Sequence, residues 1–190
     1  STNMLKDYLT NKILKNSIFE LNLICFEPKR RKKKDIDFLF YYRIHANKSN
    51  YFMSKLINRL ADDKKKIYVV GDKFPNHEVK NLGNIKRELV LKYLSRTKFS
   101  LNSGENFYSL FALDCISNHV TLFVDKRSHV KKNYFLNKNI YPLNLNKFSI
   151  SYENIFKKII KQKIFFNNFT LINKKKKYLV NNLKNLINFK

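Results

Sequence analysis

With 190 residues, the chain is long enough for one ordinary domain with a proper core and too short for two full-sized domains side by side. Apolar residues make up 44% and aromatics 15%, which excludes a globally disordered chain, and charges or amides interrupt every apolar run before the roughly 18 residues that a membrane span requires. The net charge of +25, from 39 Lys and Arg against 14 Asp and Glu, points to an anionic partner, although the abundance of Lys, Asn, Ile and Phe is also what an AT-rich coding sequence would produce without any binding function.

In chain order, residues 3–15 (NMLKDYLTNKILK) place Met4, Leu5, Tyr8, Leu9, Ile13 and Leu14 near helical spacing. The opening STNMLKDYL has neither the apolar core nor the cleavage site of a secretory signal. SIFELNLICFEP alternates apolar and polar residues up to Pro28 and predicts an extended segment, and KRRKKK follows as a solvated boundary. Residues 1–34 are therefore expected to form an entry helix and linker. Cys25 and Cys115, both in apolar settings, fit reduced packing thiols in the cytosol.

From Asp35 the pattern becomes regular. Strand-like runs fall at 36–43, 67–71, 79–82, 98–102, 120–125 and 139–143, with helix-like segments at 49–62, 86–96, 107–118 and 151–163 between them. In the first helix Phe52, Leu56 and Leu60 stand four apart beside Met53 and Ile57, behind a Ser49 cap. Short apolar strands alternating with amphipathic helices predict an α/β fold, a Rossmann-like, mostly parallel sheet with helices on both faces over residues 35–150. Residues 151–190 are expected to add C-terminal helices. The last of them (NKKKKYLVNNLKNLINFK) carries Leu179, Leu183, Leu186 and Ile187 on one face and lysines on the other, which suits either docking on the domain or peripheral contact with a membrane.

The three glycines, Gly71, Gly83 and Gly104, each lie at or just beyond the C-terminal edge of a predicted strand, where open α/β sheets bind ligands. They also fit ordinary turns. Residues 102–113 (NSGENFYSLFAL) run from a strand through Ser103, Gly104 and Glu105 into a helix, and a helix entered this way presents free N–H groups and a positive dipole end to an anion. Asp114 lies inside the apolar stretch LFALDCI and needs a partner: a ribose diol, a neighbouring lysine or a backbone N–H. Arg43 and Lys48 flank the loop RIHANK after the first regular strand, where two cations can converge on one diphosphate. His45, His77, His119 and His129 are scattered without metal-ligand spacing, so no metal is expected.

The ordered set of a strand, Arg43, four residues, Lys48 and a helix, then YVVG, NLGNI, a helix near REL, a strand leading to Ser-Gly-Glu and a helix with an acidic residue resembles the C-terminal, donor-binding domain of GT-B-fold glycosyltransferases of the group 1 (retaining) type, over about residues 35–146. That resemblance implies a domain binding a nucleotide-diphosphate sugar, without a metal, for transfer to a glycan or lipid-linked acceptor in surface polysaccharide synthesis at the cytoplasmic side. It further implies an N-terminal acceptor domain, or a partner chain, to complete the enzyme. It carries the diphosphate to Arg43 and Lys48, the transferred sugar to Glu105 and the ribose to Asp114. Gly71, Gly83, Asn84 and Ile85 would border the nucleotide, with Ser103, Gly104, Ser109 and Leu110 approaching the phosphates. The family separates its two acids by seven residues, whereas eight lie between Glu105 and Asp114, and it favours Gly-x-Pro where this chain has His119, Val120 and Thr121. A basic nucleic-acid-binding module is the alternative drawn from charge alone, disfavoured because the aromatics sit within core-forming runs. A degenerate, non-catalytic transferase-like domain is the alternative drawn from the altered acidic spacing.

Overall fold

The computed structural model describes residues 33–44, 50–102, 109–126 and 139–161. The entry helix, the extended segment that follows it and the basic tail expected at 173–190 lie outside them. The elements run β1 (Ile36–Tyr42), α1 (Tyr51–Asp62), β2 (Ile67–Gly71), β3 (Lys80–Gly83), α2 (Arg87–Leu94), β4 (Thr97–Asn102), α3 (Leu110–Ser117), β5 (Thr121–Asp125), β6 (Ile140–Leu143) and α4 (Phe148–Lys161). Each predicted strand is present within a residue of its expected ends. The sheet has the order β3-β2-β1-β4-β5-β6, with every pairing parallel.

Alternation along β1 divides the core between the two faces of the sheet, because successive side chains of a strand point to opposite sides. Phe38, Phe40 and Tyr42 join α1 and α4 on one face, with Phe99, Leu101 and Phe123 from the neighbouring strands. Leu39 and Tyr41 meet α2 and α3 on the other, with Val70, Leu122 and Val124. Phe38 and Phe40 stack 5.5 Å apart, and Phe99 bridges from Phe38 to Phe123.

Helix α1 buries Phe52, Met53, Leu56, Ile57, Leu60 and Ala61, the stripe its spacing predicts. Its cap is Asn50 rather than Ser49, which lies outside the described residues, and the Asn50 side chain donates to the carbonyl of Arg43 instead of capping the helix. Helix α3 (LFALDCIS) is buried over most of its surface, as expected of a helix apolar on nearly all sides. Burial pushes the thiol of its Cys115 well above the ordinary range, in keeping with a packing residue. Helix α4 begins three residues before its predicted start and places Ile155 and Ile159 in the same core as β1, so it belongs to the α/β unit itself.

The N-terminal edge of the sheet is tied by charge. Lys34 Nζ donates to the carbonyls of Leu94 (3.3 Å) and Asn118 (2.7 Å), at the ends of α2 and α3, where a cation also complements two helix dipoles. Asp35 receives a fork of hydrogen bonds from Arg96, and Asp37 receives Lys98 Nζ at 2.7 Å and the N–H of Lys66 at 3.0 Å. The Arg96 hydrogen bond holds the Asp35 carboxyl far below the usual range.

Burial lowers the Lys34 ammonium to about 8. The folded state therefore holds this proton less tightly than the unfolded chain, so the contribution of Lys34 to stability is expected to rise between pH 8 and about 10.4, the ordinary lysine value, and to be lost as pH falls back through 8. Denaturant midpoints measured across that window should climb in the natural chain relative to Lys34→Met; equal slopes in the two proteins would refute the assignment.

Gly71, which ends β2, has φ +102°. A Cβ there would lie inside the contact distance of the Tyr42 carbonyl oxygen, the same oxygen that accepts from the N–H of Asp72 at 2.9 Å. The clash is with backbone and cannot be relieved by a rotamer change. Gly71→Ala is expected to cost about 1–3 kcal/mol, read as a lower midpoint in chemical denaturation.

Candidate functional site

In a doubly wound parallel sheet, the crevice forms outside the C-terminal ends of two neighbouring strands whose chains depart in opposite directions. Here those strands are β1 and β4: the chain leaves β1 for α1 and β2, and leaves β4 for α3 and β5. The two loops leading out of them are the RIHANK loop and the Ser-Gly-Glu turn. Lys48, Ser103, Gly104 and Glu105 lie in these loops outside the described residues. Arg43, Asn102, Ser109 and Leu110 stand at their described ends.

Arg43 follows the last residue of β1, exposed, with its guanidinium over the ring of Tyr41 at 5.6 Å. Tyr41 in turn stacks on Phe111 in the first turn of α3, with ring centroids 5.5 Å apart. Strand parity sends Tyr41 to the α2/α3 face, so the stack leans the cation toward the N-terminus of α3. A stacked Arg retains its hydrogen-bonding fork for a ligand.

At that N-terminus Ser109 is an N-cap in extended geometry, and its Oγ accepts from the N–H of Ala112 at 3.2 Å. Among the described residues, the amides of Leu110 and Phe111 meet no acceptor, and the first turn carries no acidic side chain. The free amides and the positive end of the helix dipole make this an anion-binding geometry. Leu110 itself is 53% exposed beside it.

The stub of the β1 loop is braced by Asp72, whose carboxylate accepts from the N–H of Ile44 at 2.6 Å. The one sequence signal for Asp72 is its position directly after Gly71, at the end of the neighbouring strand.

Asp114 is buried, and both its oxygens are taken by Arg87, the first residue of α2, at 2.7 and 3.0 Å. The structure gives Asp114 a partner not among those expected from the sequence, an arginine 27 residues away in place of a neighbouring lysine. A further hydroxyl reaches this carboxylate only by sharing its remaining lone pairs. Arg87 was not singled out from sequence, because its role follows from two helices meeting.

Gly83 ends β3 with φ +67° and open space where a Cβ would stand, so its backbone conformation accounts for the glycine. Asn84 after it is exposed, and half-buried Ile85 packs against the α2/α3 core. Gly71, Gly83, Asn84 and Ile85 thus lie along the C-terminal edge on the β2–β3 side of the crevice. His119 has φ +58° directly after the cap of α3, the left-handed conformation for which glycine is the usual residue. Among the described residues no group of three or more His, Cys, Asp or Glu gathers, and no helix is long and apolar enough to cross a membrane.

No family model matches the sequence and no curated protein sequence matches it. Solved structures do. The chain superposes with a TM-score of 0.65 on the pneumococcal O-GlcNAc transferase GtfA in complex with UDP and GlcNAc, at 10% identity, covering 96% of this chain and 44% of that one. For the DNA-modifying enzyme β-glucosyltransferase, described with and without its substrate uridine diphosphoglucose, the TM-score is 0.55 at 12% identity, over 85% of this chain and 53% of that one. A chain of a GtfA/B complex gives 0.53 at 12% identity, over 95% and 41%. The α/β unit therefore has the fold of a GT-B glycosyltransferase domain, and the chain spans about half, or less, of the length of each of these structures.

Proposed function

We propose that this chain is the donor-binding domain of a glycosyltransferase, gripping a nucleotide-diphosphate sugar in the crevice between the ends of β1 and β4. The observation that carries this reading is the Arg43–Tyr41–Phe111 stack, which links the guanidinium at the end of β1 through two rings to the first turn of α3, at the switch point of the sheet. Supporting it, the similar structures include one with UDP bound and one whose stated substrate is uridine diphosphoglucose.

In this reading the diphosphate rests on the N-terminus of α3 while Arg43, joined by Lys48 from the loop, compensates the charge that develops as the sugar–phosphate bond breaks. Such stabilisation is strongest when the groups are already in place. Glu105 orients the sugar, Ser103, Gly104, Ser109 and Leu110 line the phosphates, and Gly71, Gly83, Asn84 and Ile85 border the nucleotide. Asp114 takes the ribose while it remains paired with Arg87. No metal is invoked, because fixed cations and a helix dipole fill that role. The acceptor is a glycan or a lipid-linked glycan built at the cytoplasmic side, and a separate acceptor domain or partner chain completes the enzyme.

Calorimetric titration of the chain with UDP and with UDP-sugars tests the reading, with Glu105→Ala as a variant. Glu105→Ala is expected to leave UDP binding intact and to weaken only the increment a UDP-sugar gains over UDP, by about tenfold for a lost charged hydrogen bond. Failure of the natural chain to bind any nucleoside diphosphate would overturn the proposal.

A further inference from the structure

A second basic concavity lies away from the crevice, on the flank of the sheet. The edge strand β6, two places from β4 in the sheet, and the last turns of α4 enclose a groove of about 400 Å³. Its floor is Phe123, Tyr141 and Leu143, and its wall is Lys157, Lys158 and Lys161. Among the described residues, no carboxylate lines it.

The three lysines are not equivalent. Lys158 is half-buried, donates to the Tyr141 hydroxyl and sits 3.9 Å from the centroid of that ring, so its charge is fixed over the floor. Lys157 and Lys161 are exposed, one turn apart on the same flank of the helix, and both line the groove. Lys158 and Lys161 also complement the negative end of the α4 dipole, but that role requires neither Lys157 nor an aromatic floor.

An anion carried on an organic body meets both requirements of this groove: cations without a competing carboxylate, and an apolar surface below them. We infer that the β6/α4 groove is a second anion site, taking a phosphorylated small molecule with its phosphate on Lys157 and Lys161 and its organic part against Pro142 and Leu143. The site is independent of the nucleotide crevice and stands even if that reading fails.

Calorimetry with inorganic pyrophosphate, at fixed ionic strength and in an Arg43→Ala background that weakens the crevice, isolates the groove. A saturable site is expected there, with affinity falling about tenfold or more in Lys157→Gln/Lys161→Gln. Because both lysines are exposed, the double variant is expected to fold normally. Lys92→Gln, on the opposite face of the sheet, controls for diffuse attraction to the net charge of +25. Phenyl phosphate and a short-chain phosphatidic acid kept below its micelle concentration replace pyrophosphate in parallel titrations. Tighter binding of the phosphatidic acid than of phenyl phosphate would identify a lipid headgroup as the source of the phosphate, tighter binding of phenyl phosphate a soluble ligand, and pyrophosphate binding more tightly than either would overturn the organic half of the inference. Absence of a saturable site for all three probes, or an equal loss in Lys92→Gln, would overturn the inference.

Discussion

Arg43→Ala is expected to weaken binding of UDP to this chain by about 10- to 100-fold, the loss that follows from removing a charged hydrogen-bond donor from a phosphate. The effect should appear in affinity and leave stability nearly untouched, because Arg43 is exposed, its guanidinium lies on the face of Tyr41, and the carbonyl that accepts from Asn50 is backbone and survives the substitution. Arg43→Lys should recover only part of the loss: an ammonium restores the charge but neither the fork nor the flat stacking surface. Phe111→Ala offers an independent check. It leaves the guanidinium present but removes the ring that supports Tyr41, so UDP affinity should fall in the same direction by a smaller factor. Isothermal titration at one fixed salt concentration is the measurement, since the surplus of positive charge makes any anion affinity depend on ionic strength. Equal affinity in Arg43→Ala and the natural chain would remove the stack from the site.

Arg87→Met is expected to lower the melting temperature by about 10 °C, and Asp114→Leu by much less. The asymmetry comes from exposure: the Asp114 side chain is 4% exposed and that of Arg87 47%. Removing the arginine strands a buried carboxylate, at about 3–5 kcal/mol, which in a chain of this size corresponds to roughly 2–4 °C per kcal/mol. Removing the aspartate leaves a guanidinium that water can reach, and leucine fills a site already surrounded by apolar side chains. Paired thermal melts of the two variants decide the matter. If Asp114→Leu proved the more damaging, the carboxylate would not be the costly partner, and the pair would need another explanation.

The sheet was legible because its signal is local. Runs such as IYVVG and TLFVD are apolar without interruption, which in a short segment bounded by turn residues marks a strand buried on both faces. The stripe of α1 was legible by the same means. Helix α4 begins earlier than predicted because Phe148 packs on Phe52 of α1, a tertiary contact that its own segment does not announce, as well as on Tyr152 one turn further along α4. The position of Arg43 at a strand end was visible in sequence; the direction in which it leans was not, since that depends on Tyr41 finding Phe111 some seventy residues later. Asp114 shows the boundary most sharply. Its need for a partner followed from one buried charge in an apolar helix, but the identity of that partner depended on how α2 packs against α3.

The strand order carries a consequence for synthesis. Among the described strands β1 is the first to leave the ribosome, yet it lies at the centre, and its partner on one side, β4, is joined to it by contacts spanning 61 residues. Until β4 arrives, the β1–α1–β2 unit presents one unpaired edge of a strand that includes Phe38, Leu39 and Phe40, a surface open to pairing with other chains. Folding of this domain is therefore expected to be slow for its size and sensitive to concentration, and the ties of Lys34 to Leu94 at the end of α2 and of Asp37 to Lys98 in β4 form at the step that closes that edge.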